Sequence, residues 1–275
     1  MRHHLYLTPG MFGFGKLASY DYFAHVATAL RQRFAEAGEE LETHVVDVAP
    51  TASIRRRAAY LAELVAATAC DAEGETGPIH LLGHSTGGLD ARLVVSPSAR
   101  LPVSPEALQW LARLSSVTTM STPHYGTPLA SFFATVSGQR LLYAVSALTF
   151  IALSLGAPPL AAASAIVMAV GQFDRAVLGL ELKALDRTTD ALLRALDPAT
   201  NREVRVYLDA ITKDQGAVIQ LTPEAMDLFQ AGVEDRAGVA YHCTCAMAPA
   251  PSARGLARAM LSPWRAVSSA LFTTL

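Results

Sequence analysis

Short apolar runs alternate with helical hydrophobic patterns along most of the chain. This alternation is typical of a parallel β-sheet whose faces are covered by helices. The runs that predict strands are residues 5–8, 43–48, 79–82, 116–121 and 239–245. Apolar residues at helical spacing predict helices over residues 19–37 and 53–69, and helical character resumes after residue 85 and after residue 104. We therefore predict an α/β fold with a mostly parallel sheet flanked by helices.

Three consecutive arginines, Arg55, Arg56 and Arg57, stand near the start of the second predicted helix. We interpret this run as a solvent-exposed face of the helix, since charged side chains are seldom buried. A basic binding patch is the alternative interpretation.

A long insertion separates the last two predicted strands. The strands at 116–121 and 239–245 are expected to be neighbours, with a largely helical apolar cap inserted at about residues 128–220. The expected organisation is a single domain with its core in residues 1–127 and 235–250. The cap or lid insertion would then run over about 128–234, and an apolar C-terminal helix over 252–275.

The cap contains an uncharged stretch, residues 141–173. A membrane-spanning helix needs about 20 consecutive apolar residues, and Gly156, Pro158 and Pro159 divide this stretch into two shorter halves. We interpret it as a helical hairpin that packs over the core. A hairpin that dips into a membrane is the alternative, and peripheral contact with a membrane or lipid surface through the cap stays open.

Composition and charge change this picture little. Of the 275 residues, 51% are hydrophobic, which is enough apolar material for a large core. The net charge of −2 gives no reason to expect a nucleic-acid partner. The N-terminal apolar run is too short for a signal peptide, so a cytoplasmic protein is expected. Cys70, Cys243 and Cys245 are expected to be free thiols, and no metal or cofactor site is predicted.

The strand at 79–82 runs into Gly83-His84-Ser85-Thr86-Gly87, which fits the Gly-x-Ser-x-Gly pattern of a nucleophile elbow. A sharp turn from strand to helix needs glycines beside the serine, because larger side chains would collide there. The turn exposes the hydroxyl group, and the helix that follows directs its first amides towards a developing negative charge. The sequence therefore predicts Ser85 as a catalytic nucleophile, with a purely structural turn as the alternative.

The Gly-rich stretch after the first strand predicts the rest of an oxyanion hole. Such a hole takes one backbone amide from the residue after the nucleophile and one from the loop after an earlier strand. In Pro9-Gly10-Met11-Phe12-Gly13 this places the second donor at Met11. We predict the backbone amides of Met11 and Thr86 as the two donors. The alternative is that the glycines only form a turn into the first helix.

Four stretches of the chain resemble the bacterial triacylglycerol lipases and esterases of the α/β-hydrolase fold. They are residues 9–15, 83–92, 117–128 and 221–229. The resemblance implies an α/β-hydrolase fold, a lipase or esterase activity, and a lid over residues 128 to about 220 that shields an acyl-binding pocket. His84 and His124 match family positions, and we interpret them as structural groups beside the site. The family usually has a His-Gly pair where this chain has Pro9-Gly10, one residue before the donated amide.

The acid and base of a catalytic triad are not evident in the chain. In this fold the acid and then the histidine follow the serine along the sequence, yet residues 243–275 contain no Asp, Glu or His. His242 and Asp209 are weak internal candidates, and His242 is expected to point at one face of the sheet under a helix. We expect the acid and base to lie beyond Leu275, in which case the reading frame is truncated and the last strands of the fold are missing.

Together these features predict a serine hydrolase that acts on carboxylic, lipid-like esters through an acyl-enzyme intermediate. The apolar cap favours long or bulky acyl chains over small polar esters. Two alternatives stay open. An acyltransferase on the same fold would use an alcohol instead of water, and a non-catalytic module would bind lipid or a partner chain through the cap. The acyl chain, the head group and the oligomeric state are not predicted.

Overall fold

The computed structural model of the chain describes residues 1–11, 16–17, 20–69, 77–135, 193–194 and 197–247. The strands are β1 (Arg2–Thr8), β2 (Lys16–Leu17), β3 (Tyr20–Asp21), β4 (Glu40–Val45), β5 (Ile79–His84), β6 (Leu114–Met120) and β7 (Ala240–Thr244). The helices are α1 (Ala24–Glu36), α2 (Ile54–Thr68), α3 (Thr86–Val95), α4 (Pro128–Phe133), α5 (Pro198–Lys213), α6 (Gly216–Gln220) and α7 (Pro223–Gly232). A 3₁₀ helix, Pro105–Arg113, precedes β6.

Five strands form one sheet in the order β4-β1-β5-β6-β7, and every neighbouring pair is parallel. The chain moves from β1 to β4 on one side and then crosses to β5 on the other side, so the order reverses at β1. In open α/β sheets, ligands bind at the carboxyl ends of the strands beside such a reversal. The topology therefore directs attention to the loops that follow β1 and β5.

Side chains of β1 alternate between two buried faces. Leu5 and Leu7 pack in a cluster with Phe23 and Ala27, on the face beside α1. Tyr6 belongs to a larger cluster on the opposite face, with residues of α2, α3 and the 3₁₀ helix. Successive side chains of a strand point to opposite faces, so helices on both sides are needed to bury this central strand.

Two of the helices begin with local side-chain caps. Ser53 Oγ accepts a hydrogen bond from the Arg56 amide at the start of α2. Thr222 does the same for the Ala225 amide at the start of α7. These hydroxyl groups satisfy backbone amides that have no acceptor within the first turn of a helix.

Internal contacts divide the chain into two units. The first comprises Met1–Leu17, Asp21–Ser131 and Lys213–Ala246, and it contains the five-stranded sheet. The second comprises Ala18–Tyr20, Phe132–Thr212 and Met247–Leu275, and most of α5 belongs to it. Helices α6 and α7 therefore group with the sheet, although the sequence pattern assigns them to the cap.

The predicted mostly parallel sheet flanked by helices is confirmed. All five expected strands are present, and β6 and β7 are neighbours although the insertion separates them in sequence. The hairpin predicted at 141–173 and the helix predicted at 252–275 lie outside the described residues. Among the residues that the structure describes, no helix is both long and apolar enough to cross a membrane.

Two predictions about side-chain exposure are wrong at one residue each. Arg55 and Arg56 are exposed as predicted, but Arg57 is only 1% exposed and pairs with Asp90, which is 0% exposed, because a guanidinium can be buried when a carboxylate neutralises it. His242 is exposed rather than covered by a helix. It lies on β7, which forms one edge of the described sheet.

Candidate active site

Ser85 lies at the turn between β5 and α3, at the carboxyl edge of the sheet. Its backbone has a φ of 54° and a ψ of −126°, a conformation that residues other than glycine rarely adopt. Among the described residues, the only other non-glycine residue with a positive φ is Ser121, which follows β6. Strain of this kind persists only where the surroundings enforce it, and it is concentrated at functional sites.

Three glycines make room for this turn. A Cβ atom on Gly83 would collide with the backbone of Gly87, and one on Gly87 would collide with the carbonyl of Thr8. A Cβ atom on Gly88 would collide with the side chain of Thr122. The turn is therefore closely packed within itself at Gly83, against the end of β1 at Gly87, and against the segment after β6 at Gly88.

Residues 9–11, which we call the Gly10 loop, pass directly against Ser85. A Cβ atom on Gly10 would lie 2.7 Å from Ser85 Cβ and 3.2 Å from Ser85 Oγ. Met11 is half-buried and follows Gly10 in this loop. Thr86 is the first residue of α3, so its backbone amide has no acceptor within the helix. The two predicted oxyanion donors thus belong to segments that flank Ser85, while their role stays a prediction.

Arg57 holds the Gly10 loop from inside the core. Its Nη2 donates to the carbonyl of Pro9 at 2.6 Å, and its Nε donates to Asp90 Oδ2 at 2.8 Å. Its Nη1 donates to the carbonyl of Ala49 at 3.1 Å. One guanidinium therefore connects the Gly10 loop, the helix that follows Ser85 and the segment that follows β4.

Asp90, the partner of Arg57, is a fully buried residue of α3. Burial raises the pKa of this carboxyl group to about 6, although the Arg57 guanidinium acts in the opposite direction. Neither residue is predicted as a site residue from the sequence. The available signal was an acidic side chain among the small and apolar residues 87–91 of a helix, since a buried carboxylate requires a buried cation.

The histidines near the site hydrogen-bond to hydroxyl groups other than that of Ser85. His84 Nδ1 lies 2.6 Å from the hydroxyl of Tyr22, and His124 Nε2 lies 3.1 Å from Thr119 Oγ1. Burial lowers the pKa of both imidazoles, so both rings are neutral near pH 7. All 8 histidines are among the described residues, and none of them hydrogen-bonds the hydroxyl of Ser85.

The structure places the two internal triad candidates away from loops. His242 is an exposed residue within β7, opposite Thr118 of β6. Asp209 is an exposed residue of α5 in the second unit. Neither position is the end of a strand, where this fold carries its acid and base. That these two groups lie beyond Leu275 stays a prediction.

Two of the stretches that carry the family resemblance, 117–128 and 221–229, contact each other in the first unit. The amide of Thr127 donates to the carbonyl of Leu221 at 2.8 Å. Gly126 has a φ of 73°, and a Cβ atom there would lie 2.6 Å from the Leu221 carbonyl oxygen. These contacts bring the segment after β6 together with the start of α7. The same segment packs against Gly88 through Thr122.

Comparisons with known proteins find only distant structural similarity. Neither a family model nor a curated relative matches the sequence. Among solved structures, the chain is similar to lipase 1 from Pelosinus fermentans, with 17% identity, a TM-score of 0.45, and coverage of 86% of this chain and 66% of that one. For the Staphylococcus hyicus lipase the identity is 19%, the TM-score 0.44 and the coverage 86% and 64%. For EstA from Clostridium botulinum the identity is 18% and the TM-score 0.45, and the similarity covers 87% of this chain and 59% of that one.

These similarities concern the fold and are too distant to support an argument about activity. The chain also spans less than two thirds of the length of each of the three proteins. What supports the fold independently is the parallel strand order and the strand–turn–helix arrangement at Ser85. These features agree with the α/β-hydrolase fold that is predicted from the sequence.

Proposed function

We propose that this protein is a serine hydrolase of carboxylic, lipid-like esters, with Ser85 as the nucleophile. The observation that carries the proposal is the backbone of Ser85, whose positive φ occurs in a turn lined by glycines at positions where a Cβ atom would collide with its neighbours. The residue lies at the carboxyl end of a parallel sheet, beside the strand at which the order reverses. An α/β enzyme binds its substrate at this position.

The proposed reaction passes through an acyl-enzyme. Ser85 Oγ attacks the acyl carbonyl, and the backbone amides of Met11 and Thr86 donate to the oxygen that becomes negative. Expulsion of the alcohol leaves the acyl group on Ser85, and water then releases it as a carboxylic acid. Arg57 supports these steps from a distance, because it holds the Pro9 carbonyl and so limits the movement of the Gly10 loop.

The proposal assigns Ser85 no base among the described residues, because none of the eight histidines hydrogen-bonds its hydroxyl group. Without a base the serine loses most of its activation, since removal of one member of a triad lowers kcat by roughly 10⁴-fold or more. Slow turnover by this chain is therefore expected, and covalent capture of Ser85 is a better test than steady-state hydrolysis.

The apolar surroundings of the Gly10 loop support a substrate with an apolar acyl group. Met11 packs against a cluster of buried side chains in the first unit. The cluster consists of Ile54, Leu89, Ala130, Leu221 and Met226.

An alkyl fluorophosphonate tests the proposal directly. We expect the folded protein to gain the mass of one phosphonyl group over hours, located on the peptide that contains Ser85. The Ser85→Ala protein should remain unmodified. Intact-protein mass spectrometry followed by peptide mapping gives both results.

Ser121→Ala is the matched control, because Ser121 is also a serine with a positive φ at the end of a strand. This variant should be labelled like the wild type. A folded wild-type protein that stays unlabelled would overturn the proposal and favour a non-catalytic module. Preferential transfer of a bound acyl group to an added alcohol, rather than to water, would replace the hydrolase by an acyltransferase.

A further inference from the structure

Three potential metal ligands come together on β1 and β4, away from Ser85. His4 Nδ1 and His44 Nε2 are 3.5 Å apart. Glu42 Oε2 lies 3.6 Å from His4 Nδ1, and Glu42 Oε1 lies 3.6 Å from His44 Nε2. One ligand atom from each of the three side chains lies within 4.8 Å of the other two, so the three could reach one ion.

Strand pairing explains why these residues meet. His4 of β1 lies directly opposite Glu42 of β4, and Tyr6 lies opposite His44. Residues two apart in a strand point to the same face, so Glu42 and His44 share the face on which His4 lies. The ring of Tyr6 stacks on His44 at a centroid distance of 4.6 Å and limits the rotation of that imidazole.

The dimensions of the cluster are close to those of a site for a small tetrahedral ion. Zinc binds imidazole nitrogen and carboxylate oxygen at about 2.0–2.2 Å, so two ligand atoms on a tetrahedral ion are separated by about 3.4 Å. The two imidazole nitrogens are 3.5 Å apart, and each lies 3.6 Å from one of the two Glu42 carboxylate oxygens. Calcium and magnesium prefer six or more oxygen ligands, whereas two imidazoles and one carboxylate suit zinc and its transition-metal neighbours.

The cluster is also accessible from one side. His4 is 1% exposed and His44 is 16% exposed, while the Glu42 side chain is 44% exposed. An ion could enter past Glu42 and displace little structure, since both nitrogens already face the carboxylate. A water molecule would complete the tetrahedron on the exposed side, as in zinc sites with three protein ligands.

This cluster is separate from the proposed catalytic site. His4 lies in register with Ile79 of β5, and Ser85 comes six residues later along that strand direction. At 3.3 Å per residue, the metal-ligand cluster and Ser85 are about 20 Å apart.

We propose that His4, Glu42 and His44 form a binding site for a divalent transition-metal ion of the zinc class. His4 Nδ1, His44 Nε2 and one Glu42 carboxylate oxygen are the protein ligands. Because β4 is an edge strand of the described sheet, the bound ion ties this edge to β1 and stabilises the folded chain. The proposal departs from the sequence analysis, in which no metal site is predicted, and it does not depend on the proposed hydrolase function.

The test uses the chelator-treated full chain with Zn²⁺ or Co²⁺ alone. We expect one saturable equivalent by calorimetry, a visible spectrum of tetrahedral Co²⁺, and a higher Tm with Zn²⁺. Loss of groups that merely orient a ligand weakens metal binding by about 10–100-fold. Loss of a ligand itself in Glu42→Gln or His44→Gln is therefore expected to weaken it by more than about 100-fold.

Two variants serve as matched controls. Glu40→Gln removes a carboxylate from the same strand, two residues before Glu42, where it pairs with Arg2. His25→Gln removes an exposed histidine of α1. Both should bind Zn²⁺ like the wild type. The Glu42 and His44 variants change exposed or half-buried side chains, so they are expected to fold, whereas a His4 variant would disturb the core.

Three results would contradict the proposal. One is the absence of saturable Zn²⁺ binding by the folded chain. Another is unchanged affinity in both Glu42→Gln and His44→Gln. The third is an equal rise in Tm with Mg²⁺ or Ca²⁺, which would indicate unspecific neutralisation of surface carboxylates.

Discussion

Arg57 is the residue whose environment differs most from its sequence context. It follows two arginines in a charged run, yet it is buried and bonded to Asp90, Pro9 and Ala49. The second carboxylate oxygen of Asp90 is buried without a hydrogen-bond partner among the described residues. Such a pair contributes little net stability compared with apolar residues of the same shape, but removing one partner leaves an uncompensated charge.

We predict that Arg57→Met lowers the free energy of unfolding by about 3–5 kcal/mol, because Asp90 would remain buried without its cation. Urea denaturation followed by circular dichroism measures this change. Replacing Asp90 by Leu in the same chain should restore part of the loss, since the uncompensated charge is then removed.

Arg56→Met is the control for this effect. Arg56 forms an ion pair with Asp214 at 3.2 Å, but its side chain is 75% exposed. Exposed pairs of this kind contribute about 0–1 kcal/mol. Equal losses in the two variants would show that the position of Arg57 in the core has no special energetic role.

The sequence predicts Ser85 as a site residue but not Arg57, for a physical reason. The glycines around Ser85 are imposed by local turn geometry, which a short motif records. The burial of Arg57 depends on Asp90, which belongs to another helix, and on a carbonyl in the Gly10 loop. Contacts between distant segments leave no periodic pattern in the sequence.

At the scale of elements, the junction of β5 and α3 depends on close backbone approach. Gly87→Ala would place a Cβ atom against the carbonyls of Thr8 and Pro9. We predict that this variant loses about 1–3 kcal/mol of stability, as overpacked sites do. It should also lose most of its fluorophosphonate labelling, because the helix can relieve the clash only by moving away from the Gly10 loop.

Gly232→Ala provides the comparison. Gly232 is the last residue of α7, and a Cβ atom there would meet nothing within 4 Å. Alanine at this position should be neutral or slightly stabilising, since glycine is a poor helix former. Thermal unfolding and labelling of both variants, measured side by side, test the argument; similar behaviour would refute it.

The strands were predictable in number and order of appearance, but less so in their bounds. Strand β1 begins at Arg2, three residues before the apolar run, because His3 and His4 take part in the sheet. The ring of His3 stacks on His80, and that of His4 stacks on His44. Polar residues that are buried through mutual contacts interrupt the apolar pattern, and the same property hides the proposed metal ligands.

At the scale of the whole molecule, acid stability should depend on His80. This residue of β5 lies between Ser116 Oγ of β6 at 2.7 Å and His3 of β1 at 3.0 Å. Burial, reinforced by His3, lowers its pKa from 6.5 to about 4. Below pH 6.5 the unfolded chain binds a proton that the folded chain does not take up, so the free energy of unfolding falls as the pH decreases towards 4.

We predict that His80→Gln has a flatter dependence of stability on pH between 6.5 and about 4 than the wild type. Urea denaturation at a series of pH values measures the difference in slope. Asp90 has the opposite effect on the free energy of unfolding, which it raises as the pH falls from about 6 to 3.8, because burial raises its pKa. The comparison between variants isolates His80 from this background.

His25→Gln is the reference variant for the pH series, since His25 is an exposed residue of α1. Its slope should coincide with that of the wild type. If His80→Gln also keeps the wild-type slope, the buried imidazole does not control acid unfolding of this chain.

The adjacency of β6 and β7 has a consequence for how the chain folds as it is synthesised. Strand β6 ends at Met120, and its neighbour β7 begins only at Ala240. Contacts between segments so far apart in sequence require chain closure before any pairing is gained, and such non-local contacts form slowly. The part of the sheet that precedes the insertion can assemble while the ribosome is still making the insertion. It comprises β1, β4, β5 and β6, together with the Ser85 turn. The outer edge of β6 then stays open to the nascent chain until β7 emerges, and a chaperone that binds extended segments would find its substrate in this interval.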